Sequence, residues 1–200
     1  MTTLIVDYNM GNIGSVRRAL QICGTRVVLS NDPSALWEAD RIVLPGVGSF
    51  PEAMRCLHEA GWIQELRSAA LNNIPILGIC LGMQILAERG EEIQVTEGLG
   101  LVPGIVRRLT PQAGERIPHV GWNTVDGDGP LFDGIPHGTD FYFVHSYAYD
   151  PETPASIGLT PFAGGTVAAV ACNRVYGVQF HPEKSSKAGL QVIRNFLKFA

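Results

Sequence analysis

Ile76-Leu77-Gly78-Ile79-Cys80-Leu81-Gly82-Met83-Gln84 is the stretch on which the reading of this chain turns. Ile76–Ile79 is a short apolar run of the kind that forms a buried strand, and Met83–Glu88 is good helix material. Between them lies Gly-x-Cys-x-Gly. A sharp turn from strand into helix strains the backbone of its middle residue and crowds the neighbours, so small residues are needed on both sides. The same turn sets Cys80 at a helix N-terminus, where the positive dipole favours thiolate. A structural cysteine beside two turn glycines would be spelled identically. The strand before and the helix after favour a nucleophile.

Working back toward the N-terminus, three more apolar runs of strand length appear: Leu4–Val6, Val27–Leu29 and Ile42–Leu44, the last cut off by Pro45. Between the first two, Asn9, Gly11 and Asn12 supply turn chemistry and a possible N-cap. Ile13, Val16, Leu20 and Cys23 follow at helical spacing, and Gly24 makes a good stop. Helical stretches fall around Glu52–Ala60 and Ile63–Leu71. Short apolar strands alternating with helices predict a largely parallel sheet covered on both faces. Toward the C-terminus the pattern changes. Ile105–Leu109, Val120–Val125, Phe141–Tyr149, Val167–Ala171 and Val175–Phe180 read as strands between Gly/Pro-rich turns, which predicts antiparallel additions. Leu190, Ile193, Phe196 and Leu197 mark a closing amphipathic helix.

The 200 residues suit one domain, 1–200, and 46% apolar against 17% charged residues allows a sizeable core. The net charge of -4 disfavours nucleic acid or an anionic membrane as main partner. No stretch reaches the roughly 18 apolar residues of a membrane span, and the opening MTTLIVDYNMGN has no basic leader. Cys23, Cys56, Cys80 and Cys172 form no CxxC pair and no metal-ligand spacing, so free thiols in a cytoplasmic protein with neither metal nor cofactor are expected.

A cysteine nucleophile needs a base to take its proton and return it to the leaving group, and the base needs a group that fixes its tautomer. His181-Pro182-Glu183 follows the strand-like Val175–Val178. In an extended segment residues i and i+2 share a face, so Glu183 can reach the His181 imidazole. A solvated loop after a strand would have the same composition. His58 reads as a helix-surface residue and His137 as part of a turn; His119 and His145 sit at strand edges without so well-placed a carboxylate.

GICLGMQ, HPEKSS and PGVGSF together resemble the class I, triad-type glutamine amidotransferases. VDYNMGNIGSV, PHVGWN and FYFVHSY make the chain similar to the branch of that family serving imidazole glycerol phosphate synthase, and the similarity runs from about Ile5 to Lys187. The resemblance implies a three-layer αβα domain related to the flavodoxin-like fold. It implies that Cys80, His181 and Glu183 hydrolyse glutamine to glutamate and ammonia. The partner it implies is a (β/α)8-barrel cyclase subunit, in a heterodimer, which turns the ammonia into imidazole glycerol phosphate and aminoimidazole carboxamide ribotide.

Elbow geometry makes the Leu81 N–H one oxyanion donor. By resemblance the second is the Val47 N–H of the Pro45–Gly48 loop, while Gly48, Gln84 and the Ser146-Tyr147 backbone hold glutamine. Asn12 follows the first strand and Lys184 follows the triad carboxylate, which places both on the sheet edge that carries the site. By resemblance that edge faces the barrel. Two alternatives stay open: the glutaminase subunit of pyridoxal phosphate synthase, against which the VDYNMGNIGSV opening argues, and a non-catalytic regulatory subunit, against which the intact triad argues.

Overall fold

The computed structural model describes residues 1–150 and 153–199. Five parallel strands form its centre: β1 (Thr2–Val6), β2 (Arg26–Ser30), β3 (Arg41–Gly46), β4 (Ile76–Cys80) and β13 (Val175–Val178). They lie in the order β2-β1-β3-β4-β13, the doubly wound arrangement whose ligand sites fall at the carboxyl ends of the strands. Four antiparallel strands extend the sheet beyond β13: β12 (Thr166–Cys172), β11 (Ser156–Thr160), β8 (His119–Gly127) and β9 (Thr139–His145).

Alternation along the buried strands divides the core in two. Leu4, Val6, Ile42, Leu44 and Ile76 face α2 (Phe50–Glu59) and α3 (Trp62–Leu71). Ile5, Val43, Leu77, Ile79 and Val178 face α1 (Ile13–Ile22) and α5 (Ser186–Phe199). The result is the expected three-layer αβα arrangement, with residues such as Leu4, Ile5, Phe50 and Trp62 fully buried.

Four sequence expectations are corrected. Pro45 does not end its strand, because β3 runs on to Gly46. The pairing of β3 with β1 stops at Val43, so the missing N–H of Pro45 removes no ladder bond on that side. The helix expected over Met83–Glu88 is one turn, α4 (Leu81–Gln84). The chain then leaves the helix as Leu99, Leu101 and Val102 donate to the carbonyls of Ile85 and Leu86. Phe141–Tyr149 is broken at Ser146 into β9 and β10 (Tyr147–Tyr149), which belong to different sheets. Finally, Ile105–Leu109 does not extend the main sheet. As β7 (Ile105–Arg108) it joins β10 and a polar hairpin, β5 (Arg89–Glu92) and β6 (Gln94–Glu97), in a separate four-stranded sheet.

Candidate active site

The elbow at the end of β4 is built as tightly as its glycines suggested. A Cβ on Gly78 would stand 2.5 Å from the Gly82 carbonyl oxygen, and one on Gly82 would stand 1.8 Å from the Leu44 carbonyl oxygen. Cys80 itself sits at φ 55, ψ -112 as the N-cap residue of α4. That left-handed backbone is strained for any residue with a Cβ. The thiol lies 3.7 Å from the Val144 carbonyl oxygen and receives the Gln179 side-chain amide at 3.8 Å.

β13 runs parallel beside β4, so the segment that follows it emerges next to Cys80. There the His181 Nδ1 meets Glu183 Oε1 at 2.9 Å, with side chains only 6% and 1% exposed. The i, i+2 geometry is therefore present, although Pro182 opens a 3₁₀ turn through Lys184 instead of extended chain. The Ser185 hydroxyl ties this turn down by donating to the His181 carbonyl at 2.7 Å. Burial alone would lower the His181 pKa, but hydrogen bonds to Cys80 and Glu183, together with their charges, outweigh it and raise His181 to about 9. Its protonated form is thus favoured beside the sulfur, the arrangement that a cysteine–imidazolium pair would need.

A cavity of about 350 Å³ opens over this pair. Val47 and Gly48 line it from the loop after β3, Leu81 and Gln84 from α4, Ser146 and Tyr147 from the β9–β10 break, and Lys184 from its mouth. Leu81 is the first helical residue after Cys80, so its N–H has no intrahelical acceptor and is available to an oxyanion. Val47 is 44% exposed, with Gly48 beside it at φ 115. The Tyr8 hydroxyl, kept protonated by complete burial, anchors the start of that loop by donating to the Pro45 carbonyl at 2.7 Å.

The Gln84 Nε2 donates to the Tyr147 carbonyl at 2.7 Å and to Gln179 Oε1 at 3.0 Å. Both of its hydrogens are spent, so Oε1 is the polar atom Gln84 has left to offer. Of the sequence-derived residues, Glu183 stands behind His181 outside the cavity lining. Asn12 is an exposed residue at the start of α1, makes no side-chain cap hydrogen bond and does not reach the cavity.

Two contributors escaped the sequence reading. Glu92 lines the cavity and accepts the Phe50 N–H at 2.7 Å; its carboxylate suits an ammonium group. His145 also lines the cavity, bonded to His119 at 3.0 Å. Burial pushes these two imidazoles down to about 3 and about 4.

Taken together, the cavity offers a cysteine with its base, donors for an oxyanion and a carboxylate for an ammonium group. It suits nucleophilic attack on the amide of an amino acid. The glutamine amidotransferase class-I family profile matches residues 4–199. Imidazole glycerol phosphate synthase subunit HisH of Moorella thermoacetica is 46% identical over 195 residues, which cover 96% of this chain and 92% of that protein. The subunit of the same name from Bacillus thuringiensis is 41% identical over 194 residues, with the same coverage. Among solved structures, a glutamine amidotransferase superposes with a TM-score of 0.77 at 17% identity over 98% of this chain and 97% of its own. PurLQS from Thermotoga maritima superposes with 0.75 at 22% identity over 99% and 98%. At such identities these two likenesses speak for the fold alone.

Proposed function

The chain belongs to the class-I glutamine amidotransferase family, and from that premise we propose that Cys80, His181 and Glu183 carry its reaction. It is a glutamine-hydrolysing enzyme whose activity is that of the amidotransferase subunit of imidazole glycerol phosphate synthase, in histidine biosynthesis. The observation that carries the residue assignment is the His181–Glu183 contact of 2.9 Å beside a cysteine held on a strained elbow.

The Cys80 thiolate adds to the side-chain carbonyl carbon of glutamine. The oxyanion so formed takes hydrogen bonds from the Leu81 and Val47 N–H groups. The carbon–nitrogen bond breaks as His181 protonates the departing ammonia, leaving a thioester on Cys80. His181 then takes a proton from water, the resulting hydroxide displaces the thiolate, and glutamate leaves. Glu183 holds the imidazole by Nδ1 and balances its charge. At the other end of the substrate, Glu92 and the Gln84 Oε1 receive the α-ammonium group. The Ser146-Tyr147 backbone and Gly48 hold the α-carboxylate.

As a subunit, the chain delivers its ammonia to a partner. We infer a cyclase with a (β/α)8-barrel fold, in a cytoplasmic heterodimer that acts overall as a lyase. Support comes from an apolar face beside the cavity. Val120, Trp122 and Val144 are 56%, 53% and 37% exposed on the β8–β9 hairpin, with Tyr142 in edge contact with Trp122. Exposed apolar side chains grouped in this way mark a docking surface. Lys184, whose ammonium lies 5.8 Å from the Tyr142 ring, stands where this face meets the cavity. Asn12 lies at the same sheet edge and is proposed as a further contact. Among the described residues, no helix is long and apolar enough to cross a membrane.

The reading is tested with a glutamine-analogue electrophile and a glutaminase assay, with and without the cyclase subunit. Labelling confined to Cys80, lost with turnover in C80A, is the expected result. Labelling elsewhere, or turnover that survives C80A, refutes the assignment.

A further inference from the structure

His119 and His145 are buried, yet neither enters the reaction derived above. They stand directly opposite each other in the β8–β9 ladder. His119 is clamped between two aromatic rings, Phe143 at 4.7 Å and Phe162 at 4.0 Å, and lies nearly parallel to the latter.

Their hydrogen bonds can be oriented without ambiguity. The Tyr147 carbonyl can only accept, so His145 Nδ1, 2.9 Å away, carries a hydrogen. At the far end Asn123 Oδ1 accepts the Thr124 N–H at 2.9 Å, which turns Asn123 Nδ2 toward His119 Nε2 at 3.2 Å. His119 Nε2 is therefore an acceptor. A neutral ring with Nε2 as acceptor carries its hydrogen on Nδ1, and His119 Nδ1 points at His145 Nε2 over 3.0 Å. Every lone pair and hydrogen on the two rings is used, with both rings neutral. Burial favours the same uncharged state.

We propose that His119 and His145 are positioning residues for glutamine binding: as a one-way chain of neutral imidazoles they hold the Tyr147 carbonyl against Gln84 and so fix which way the Gln84 amide faces. That carbonyl takes one hydrogen from His145 and one from Gln84, which fills its two lone pairs. With Nε2 held there and at Gln179, Gln84 keeps Oε1 for the substrate. If His119 stops donating, His145 is free to move its hydrogen to Nε2. Its bare Nδ1 would then face the carbonyl oxygen, and the anchor for Gln84 would weaken. The inference rests on the glutamine-hydrolysing reading above.

Two substitutions separate the hydrogen bond from the packing. His119→Phe keeps the ring stack and loses the donor. His119→Asn loses the ring but places its amide nitrogen where Nδ1 was. In the full chain with its cyclase partner, H119F should raise the glutamine KM about fivefold to tenfold, the effect of one lost buried hydrogen bond, with kcat changed less than about threefold. H119N should restore the KM. A wild-type KM in H119F, or an H119N as defective as H119F, overturns the proposal. Nitrogen-15 NMR of the full wild-type chain gives a readout independent of activity and of either variant's folding. Both histidines should carry hydrogen on Nδ1, and an Nε2–H tautomer at either overturns the proposal. A chain that turns over no glutamine but shows both Nδ1–H tautomers would refute the functional reading and the proposed role in binding, leaving only the geometry.

Discussion

Glu183 engages His181 through one carboxylate oxygen, Oε1 at 2.9 Å from Nδ1, while its other oxygen is buried without a hydrogen-bond partner among the described residues. The two oxygens therefore do different things. Oε1 orients the ring, and Oε2 contributes only its share of the negative charge.

That division makes Glu183→Gln informative. Gln can keep an oxygen toward Nδ1 and put its amide where nothing is bonded, so the geometry survives and the charge is lost. We expect kcat for glutamine to fall by about a hundredfold to ten-thousandfold, with KM within about threefold, by analogy with neutralised triad carboxylates. Steady-state kinetics decides it, and a wild-type kcat in E183Q would show that the charge is not used.

The elbow predicts an inversion of the usual glycine penalty. Cys80 holds φ 55, ψ -112, a conformation that costs a side-chain-bearing residue about 1–3 kcal/mol and costs glycine little. Both C80A and C80G should be inactive, but C80G should be the more stable of the two by about 1 kcal/mol or more. Urea denaturation compares them. Ala more stable than Gly would mean that the strain is relieved elsewhere.

Two glycines should respond in opposite directions to alanine. A Cβ at Gly82 would lie 1.8 Å from the Leu44 carbonyl oxygen, in backbone that cannot withdraw. G82A should lose about 3 kcal/mol or more, or fail to fold. Gly14, exposed on the outer face of α1, would put its Cβ in open space, so G14A should gain about 0.5–1 kcal/mol from helix propensity. Melting temperatures of the two variants check both signs.

The raised His181 pKa predicts a pH window. Its folded value of about 9 lies above the ordinary unfolded value of about 6.5, so the stability it contributes is complete below about pH 6.5 and is lost as pH rises through about 9. The stability gap between wild type and His181→Gln should narrow across that interval. A gap constant from about pH 6 to about pH 10 would mean that His181 does not gain its charge on folding.

How much of this was written in the sequence depends on the range of the signal. β1, β3 and β4 were legible because their apolar runs are fully buried, and β2 and α1 to α3 because their apolar residues recur at the spacing of their own element. The elbow at Cys80 and the contact of His181 with Glu183 were legible because each motif spans five residues or fewer. β5 and β6 were not, since Arg89–Glu92 and Gln94–Glu97 are polar and are made strands by pairing with each other. Glu92 was lost for the same reason: in a run of polar residues, a carboxylate that faces a cavity reads like one that faces water. His119 and His145, 26 residues apart, meet only through the ladder register, which no local pattern encodes.

The neighbours of β4 in the sheet have a consequence for how the protein is made. β4 is flanked by β3, which precedes it in the chain, and by β13, which follows it by about a hundred residues. As the ribosome works from Cys80 toward His181, one side of Ile76–Cys80 stays an open apolar edge of the kind that recruits other chains. Arrival of β13 closes that edge and brings His181 beside Cys80 in one event. A nascent chain is thus most prone to aggregate while it cannot yet cleave glutamine, and both conditions end with the same strand.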